Sequence, residues 1–124
     1  MNKSRPVNLD LSTVRLPITA YVSILHRVSG VVMLGGILLL VWMLDISLSS
    51  SEGFSELQAI LAETWAKVVL WLVLAALTYH LVAGVKHLVM DMGIGETLEG
   101  GKLGAKLTLA AFFVLVILEG VWLW

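Results

Sequence analysis

The stretch VVLWLVLAALTYHLVAGV, Val68–Val85, decides the fold. It runs for eighteen residues without a formal charge, between Lys67 and Lys86. As a helix it rises about 27 Å at 1.5 Å per residue, close to the ~30 Å hydrocarbon thickness of a bilayer. Two similar runs flank it, Val28–Leu44 and Leu107–Trp124. Three segments cannot close a β-barrel, so each predicts a membrane-spanning helix with its backbone hydrogen bonds satisfied internally. The expected helices cover approximately residues 18–45, 65–91 and 104–124, in a single membrane-anchor domain over 1–124. Pro17 suits the first turn of the first helix, where its missing N–H is not needed.

The composition agrees. Of the 124 residues, 59% are apolar and only 14% charged, against roughly 25% charged in an ordinary soluble domain. A small soluble core could not hide that much apolar surface. A net charge of −1 argues against a nucleic-acid partner, which calls for a basic surface. The absence of cysteine removes disulfides, thiolate metal sites and covalent c-type haem attachment. Met1–Ala20 holds Lys3, Arg5, Asp10 and Arg15 with two prolines, and lacks the apolar core of a signal peptide.

The basic residues give a direction. Lys3, Arg5, Arg15 and Arg27 precede or open the first helix, and Lys86, Lys102 and Lys106 lie at or between the second and third. The first loop, Asp45–Thr64, has no Lys or Arg and carries Asp45, Glu52, Glu56 and Glu63; Lys67 alone breaks the pattern. The positive-inside rule then predicts a cytoplasmic amino terminus and second loop and a carboxyl terminus outside, with Trp42, Trp65, Trp122 and Trp124 near the outer interface. Part of the first loop, Glu52–Ala62, is a candidate short interfacial helix.

Ionisable and polar groups inside a membrane are costly and mark function. The short set is Ser23, His26, Arg27, His80, Lys86, His87, Asp91 and Glu119. His80 is expected about 15 Å deep, near the midplane. There it either hydrogen-bonds a neighbouring helix or serves as an axial haem ligand through a neutral imidazole. Gly84, one turn on, leaves room for a flat macrocycle. His87 lies on the same face nearer the edge, beside Lys86. These cations either meet haem propionates or snorkel to headgroups.

A six-coordinate haem needs ligands on opposite faces of its ring. His80 and His87 share one face, His26 is expected too shallow to match His80, and no fourth histidine exists. A second axial histidine would therefore come from another polypeptide; one of five Met residues is a weaker option. Ser23, His26 and Arg27 share a helix face and offer donors suited to the two carbonyl acceptors of a quinone; as the alternative, His26 and Arg27 are interfacial anchors. Asp91 either pairs with these cations or is a solvated loop acid. Gly30, Gly35 and Gly36 are expected to let helices pack closely, and Glu119 to reach the outer interface.

Two motifs together carry a family resemblance. Arg5-Pro6-Val7-Asn8-Leu9-Asp10-Leu11 followed by Ser23-Ile24-Leu25-His26-Arg27-Val28-Ser29-Gly30, and His80-x-x-x-Gly84-x-Lys86-His87-x-x-x-Asp91, resemble the cytochrome b membrane-anchor subunits of bacterial succinate dehydrogenase. The resemblance covers essentially the whole chain. It implies an all-α integral membrane protein whose three transmembrane helices join a larger bundle with a second, small anchor subunit. It implies a complex with a flavoprotein, which oxidises succinate, and an iron–sulfur subunit, which passes electrons to ubiquinone. It implies haem b with His80 as axial ligand of the iron and the other histidine from the small anchor. His26 and Arg27 would lie near the propionates, and Lys86 and His87 would also belong to the haem-binding set. Ser23, Arg27 and Asp91 would form the quinone site. No residue would act on succinate itself. Lys86 stands where the family often has arginine, which keeps the charge but loses the planar fork. The alternatives are a quinol-oxidising fumarate reductase anchor and a scaffold without cofactors; few intramembrane acids disfavour a transporter.

Overall fold

A computed structural model describes Val7 and residues 9–124. Lys3 and, within the Arg5–Leu11 motif, Arg5, Pro6 and Asn8 lie outside the described residues. Among the described residues there are four helices and no strand: α1 (Ile18–Ser49), α2 (Ser51–Ala62), α3 (Thr64–Asp91) and α4 (Leu98–Leu123).

Local chemistry explains where each helix starts and stops. Pro17 stands just ahead of α1, and its carbonyl accepts from Ala20 and Tyr21. α1 runs four residues past the expected end at 45, because Ser47 and Ser49 turn their hydroxyls onto the carbonyls of Leu44 and Ile46 (both 2.8 Å) rather than competing for the helix backbone. Ser50 then caps α2 by accepting from Gly53 N at 2.9 Å. Gly53 is required here, since a Cβ would stand 2.7 Å from Ile46 O. The short helix anticipated over Glu52–Ala62 is therefore present as Ser51–Ala62. α4 begins at Leu98, six residues before the expected 104, because Thr97 caps it through Gly100 N at 3.0 Å. Gly93 (φ 84°) and Gly95 (φ 74°) make the turn that precedes it, in a region open to glycine at little cost.

Among the described residues, α1, α3 and α4 are the three helices long and apolar enough to cross a membrane. Only 6%, 11% and 6% of their most apolar windows is buried within the chain. A soluble bundle hides an apolar stripe and wets the rest; these helices are apolar all round, so lipid or other protein must cover them.

With lipid outside, burial of apolar area does not drive helix against helix, and close packing and interhelical hydrogen bonds do so instead. α3 sits between the other two long helices and runs against both. Ala83 of α3, Ala105 of α4 and Val22 of α1 are fully buried. Gly36 of α1 faces Val73 of α3, where an added Cβ would stand 2.8 Å from Val73 Cγ1. Gly30 faces His80 in the same way, at 3.2 Å from Cε1. Gly35, expected to share this role, points into open space, because one residue of helix rotates the side chain by about 100°. Between α3 and α4, Trp71 Nε1 donates to Val116 O at 2.9 Å, and its ring meets Trp124 edge-on at 5.9 Å.

Glu119 does not reach toward the end of α4 as expected. Thr78 of α3 donates to its Oε1, while its Oε2 is buried without a hydrogen-bond partner among the described residues. The carboxyl turns inward because the Cβ of a helical residue tilts toward the helix amino terminus.

The glycine contacts give a stability test. Gly36→Ala and Gly36→Leu should lower the thermal stability of the assembled protein by about 1–3 kcal/mol, the usual cost of overpacking against a stiff β-branched neighbour. Gly35→Ala should be neutral or slightly stabilising. Equal losses at both positions, read from the melting temperature, would show that the α1–α3 approach does not depend on Gly36.

Candidate functional site

The polar residues of α1 and α3 meet along one seam. Tyr79, buried, donates its hydroxyl to Val22 O at 2.7 Å. One residue on, His80 reaches α1 one turn further along. Its Nδ1 lies 3.1 Å from His26 O and 3.0 Å from Ser29 Oγ. Ser29 is itself buried, with 6% of its surface exposed. Its hydroxyl donates to His26 O at 2.7 Å.

The three imidazoles form a cluster. The His26 ring stacks on His80, with centroids 4.1 Å apart and planes 13° from parallel. It also meets His87 at 5.0 Å, tilted by 58°. His26 is thus level with His80, not too shallow to reach it. The ends of α1 at Ile18 and of α3 at Asp91 are the expected ones; the expectation fails because it compared backbone depths and left out the reach of the two side chains. Measured from those ends, the two histidines differ in depth by three residues, about 4.5 Å, which the two side chains span.

His26, His80 and His87 line an open groove of about 410 Å³ with Leu81, Gly84, Val85 and Leu88. Gly84 forms its floor, where a Cβ would stand 3.7 Å from His26 Nε2. The groove thus joins an apolar wall, a strip of bare backbone and three nitrogen-bearing rings. No group of three or more His, Cys, Asp or Glu residues suited to a bare metal ion occurs among the described residues.

The other site residues divide. Ser23 and Arg27 stay one turn apart on α1, the first half-buried and the second exposed. Asp91 is exposed as the last residue of α3, with no ion pair to Arg27, Lys86 or His87 among the described residues. Lys86 leaves the cluster altogether. Its stem lies over Gly104 of α4, where a Cβ would meet Lys86 Cε at 3.5 Å. It lines a second apolar groove, about 440 Å³, between α3 and α4. Adjacent helical residues point about 100° apart, so His87 faces α1 while Lys86 faces α4.

Sequence reasoning missed the role of Ser29 and the stacking of His26. Spacing offered one signal for the first: Ser29 is three residues after His26, on the face that carries Gly30 and Gly36.

This architecture defines a multi-pass membrane subunit with an imidazole-lined groove between its first two spans. The chain belongs to the succinate dehydrogenase/fumarate reductase transmembrane subunit family, whose model matches residues 1–118. It is 39% identical over the whole of both chains to the succinate dehydrogenase cytochrome b556 subunit of Coxiella burnetii. It is 31% identical to the cytochrome b556 subunit of Paracoccus denitrificans, over 93% of this chain and 88% of that one. Against the cytochrome b560 subunit of Reclinomonas americana the identity is 32%, over 98% and 88%. These matches bear out the resemblance to a succinate dehydrogenase cytochrome b anchor.

The Tyr79–Val22 bond carries its own test. Tyr79→Phe removes one interhelical hydrogen bond and should destabilise the folded protein by about 0.5–2 kcal/mol, the range for such bonds in membranes. The shift is read from detergent-solubilised melting; an unchanged melting temperature would show that the bond does not hold α1 to α3.

Proposed function

We propose that this chain is the haem b- and quinone-binding anchor of a succinate dehydrogenase, passing electrons from succinate oxidation to ubiquinone. The observation that carries the haem reading is the state of His80. Two acceptors on α1 meet its Nδ1, which leaves Nε2 as the nitrogen available to a metal. Ligating histidines are commonly anchored in this way through the other ring nitrogen.

The residues present fit a haem. His80 supplies the imidazole, Gly84 supplies a floor without a side chain, and Leu81, Val85 and Leu88 supply apolar walls. His26, His87 and Arg27 are the partners proposed for the propionates. Lys86, turned toward Gly104, is left out of that set. When bound, the group would supply a one-electron redox centre whose potential depends on its ligands and nearby hydrogen bonds.

His26 cannot be the second axial ligand in this arrangement, since near-parallel rings 4.1 Å apart leave no space for a macrocycle between them. The groove is also open along one side. Both features support a ligand and a cover from a second, small anchor subunit. The family supports a complex with an iron–sulfur subunit and a flavoprotein as well.

For the quinone, Ser23 and Arg27 offer a hydroxyl and a guanidinium to carbonyl oxygens that can only accept. Asp91 completes the set from α3. Arg15, Arg27, Lys86, Lys102 and Lys106 favour the end of the bundle where α1 begins, which supports a cytoplasmic amino terminus in a bacterial inner membrane. The family also contains fumarate reductase anchors, which run the same chemistry in reverse; the potential of the quinone and the soluble subunits select the direction.

Two measurements test the reading. His80→Ala in the assembled complex should abolish or shift the reduced-minus-oxidised b-type absorbance, while Lys86→Met should leave it unchanged. A signal that survives His80→Ala would exclude His80 as the ligand. Separately, Arg27→Leu should lower quinone reduction by roughly 10–100-fold, as expected for losing a charged hydrogen bond worth about 1.5–3 kcal/mol. Succinate oxidation by an artificial acceptor should be spared. Equal loss of both activities would exclude a quinone-specific role for Arg27.

A further inference from the structure

We infer that Ser29 is a positioning residue for His80: it fixes which ring nitrogen faces the groove and tunes the redox centre bound there. The inference rests on the haem reading above. Its basis is a count of protons. Ser29 has one hydroxyl proton, directed at His26 O at 2.7 Å. Its oxygen toward His80 Nδ1, at 3.0 Å, therefore offers lone pairs only. His26 O, at 3.1 Å from the same nitrogen, is a carbonyl and can only accept. Two acceptors converge on Nδ1, so Nδ1 carries the proton and donates to both. A neutral imidazole protonated at Nδ1 has its lone pair on Nε2.

The rest of the seam holds the ring in that pose. Gly30 lets Cε1 approach the α1 backbone, with room for no more than 3.2 Å to a Cβ. His26 covers one face of the ring at 4.1 Å. Ser29 is buried and its oxygen is tied to the helix by its own donated bond, so it cannot follow a rotating imidazole. A hydrogen bond from Nδ1–H makes the ligating nitrogen more basic. A more basic ligand favours the ferric over the ferrous state, and so lowers the potential.

The test uses the assembled complex with its natural haem. Ser29→Ala removes one of the two acceptors and leaves His26 O. The expected result is a more positive midpoint potential: about a fivefold change in the ferric-to-ferrous ratio at fixed poise, ~40 mV at 59 mV per decade for one electron. A change in the low-spin ferric electron paramagnetic resonance g-values should accompany it as the ring relaxes. Ser29→Thr, which keeps the hydroxyl, should restore both. Full haem content with unchanged potential and g-values in Ser29→Ala would overturn the proposal. If Ser29→Ala fails to retain haem, Ser29→Cys decides, because sulfur is a weak acceptor of similar size. A potential above wild type supports the role of Ser29, and a wild-type potential refutes it. The underlying reading fails differently: the unmodified complex would show no b-type absorbance, or would keep it in His80→Ala.

Discussion

The bond from His80 Nδ1 to the two oxygens of α1 is the interaction on which the rest of the site depends. Lipid gives helices little reason to associate through apolar burial, so a polar link between spans counts for more in choosing their register. His80 makes that link to Ser29 and to His26 O, and Tyr79 repeats it one turn away at Val22. Together they align the first third of α1 with the middle of α3. Once that register is set, His26 lies against His80 and within reach of His87. The cluster is a consequence of the seam, not an addition to it.

Small residues make the seam possible. Gly30 and Gly36 bring the α1 backbone close to His80 and Val73, and Ala83 is fully buried on the facing side. Donors of α3 can reach carbonyls of α1 only at such short separations. The same logic works on the opposite face of α3, where Gly104 receives the stem of Lys86 and Gly120 receives the ring of Trp71. α3 therefore has two distinct faces: one carries the imidazoles, and the other packs α4 through aliphatic and indole contacts. Lys86 and His87 are neighbours in sequence and belong to different faces.

Much of the fold was legible in the sequence. The three apolar runs named the spans, and the acidic first loop suggested its own short helix. Boundaries were harder to read, because single side chains moved them. Thr97 starts α4 early, and Ser47 and Ser49 carry α1 further; these bonds form only when the backbone already offers the right atoms. The candidate residues were legible as types. Histidine, arginine and serine are conspicuous where every neighbour is apolar. Their mutual arrangement was not, and reasoning by depth separated His26 from His80 when packing brings them together.

The sequence by itself determined the solvent, the number of spans and the inventory of polar groups, because these depend on residue type and periodicity along one chain. It also limited the chain to three histidines. Only the tertiary structure decided which face each side chain takes. The reason is geometric: a helix turns about 100° per residue, so a small error in register moves a group from one neighbour to the next. That rotation separates Lys86 from His87, leaves Gly35 in open space beside a tightly packed Gly36, and puts the oxygen of Ser29 on His80.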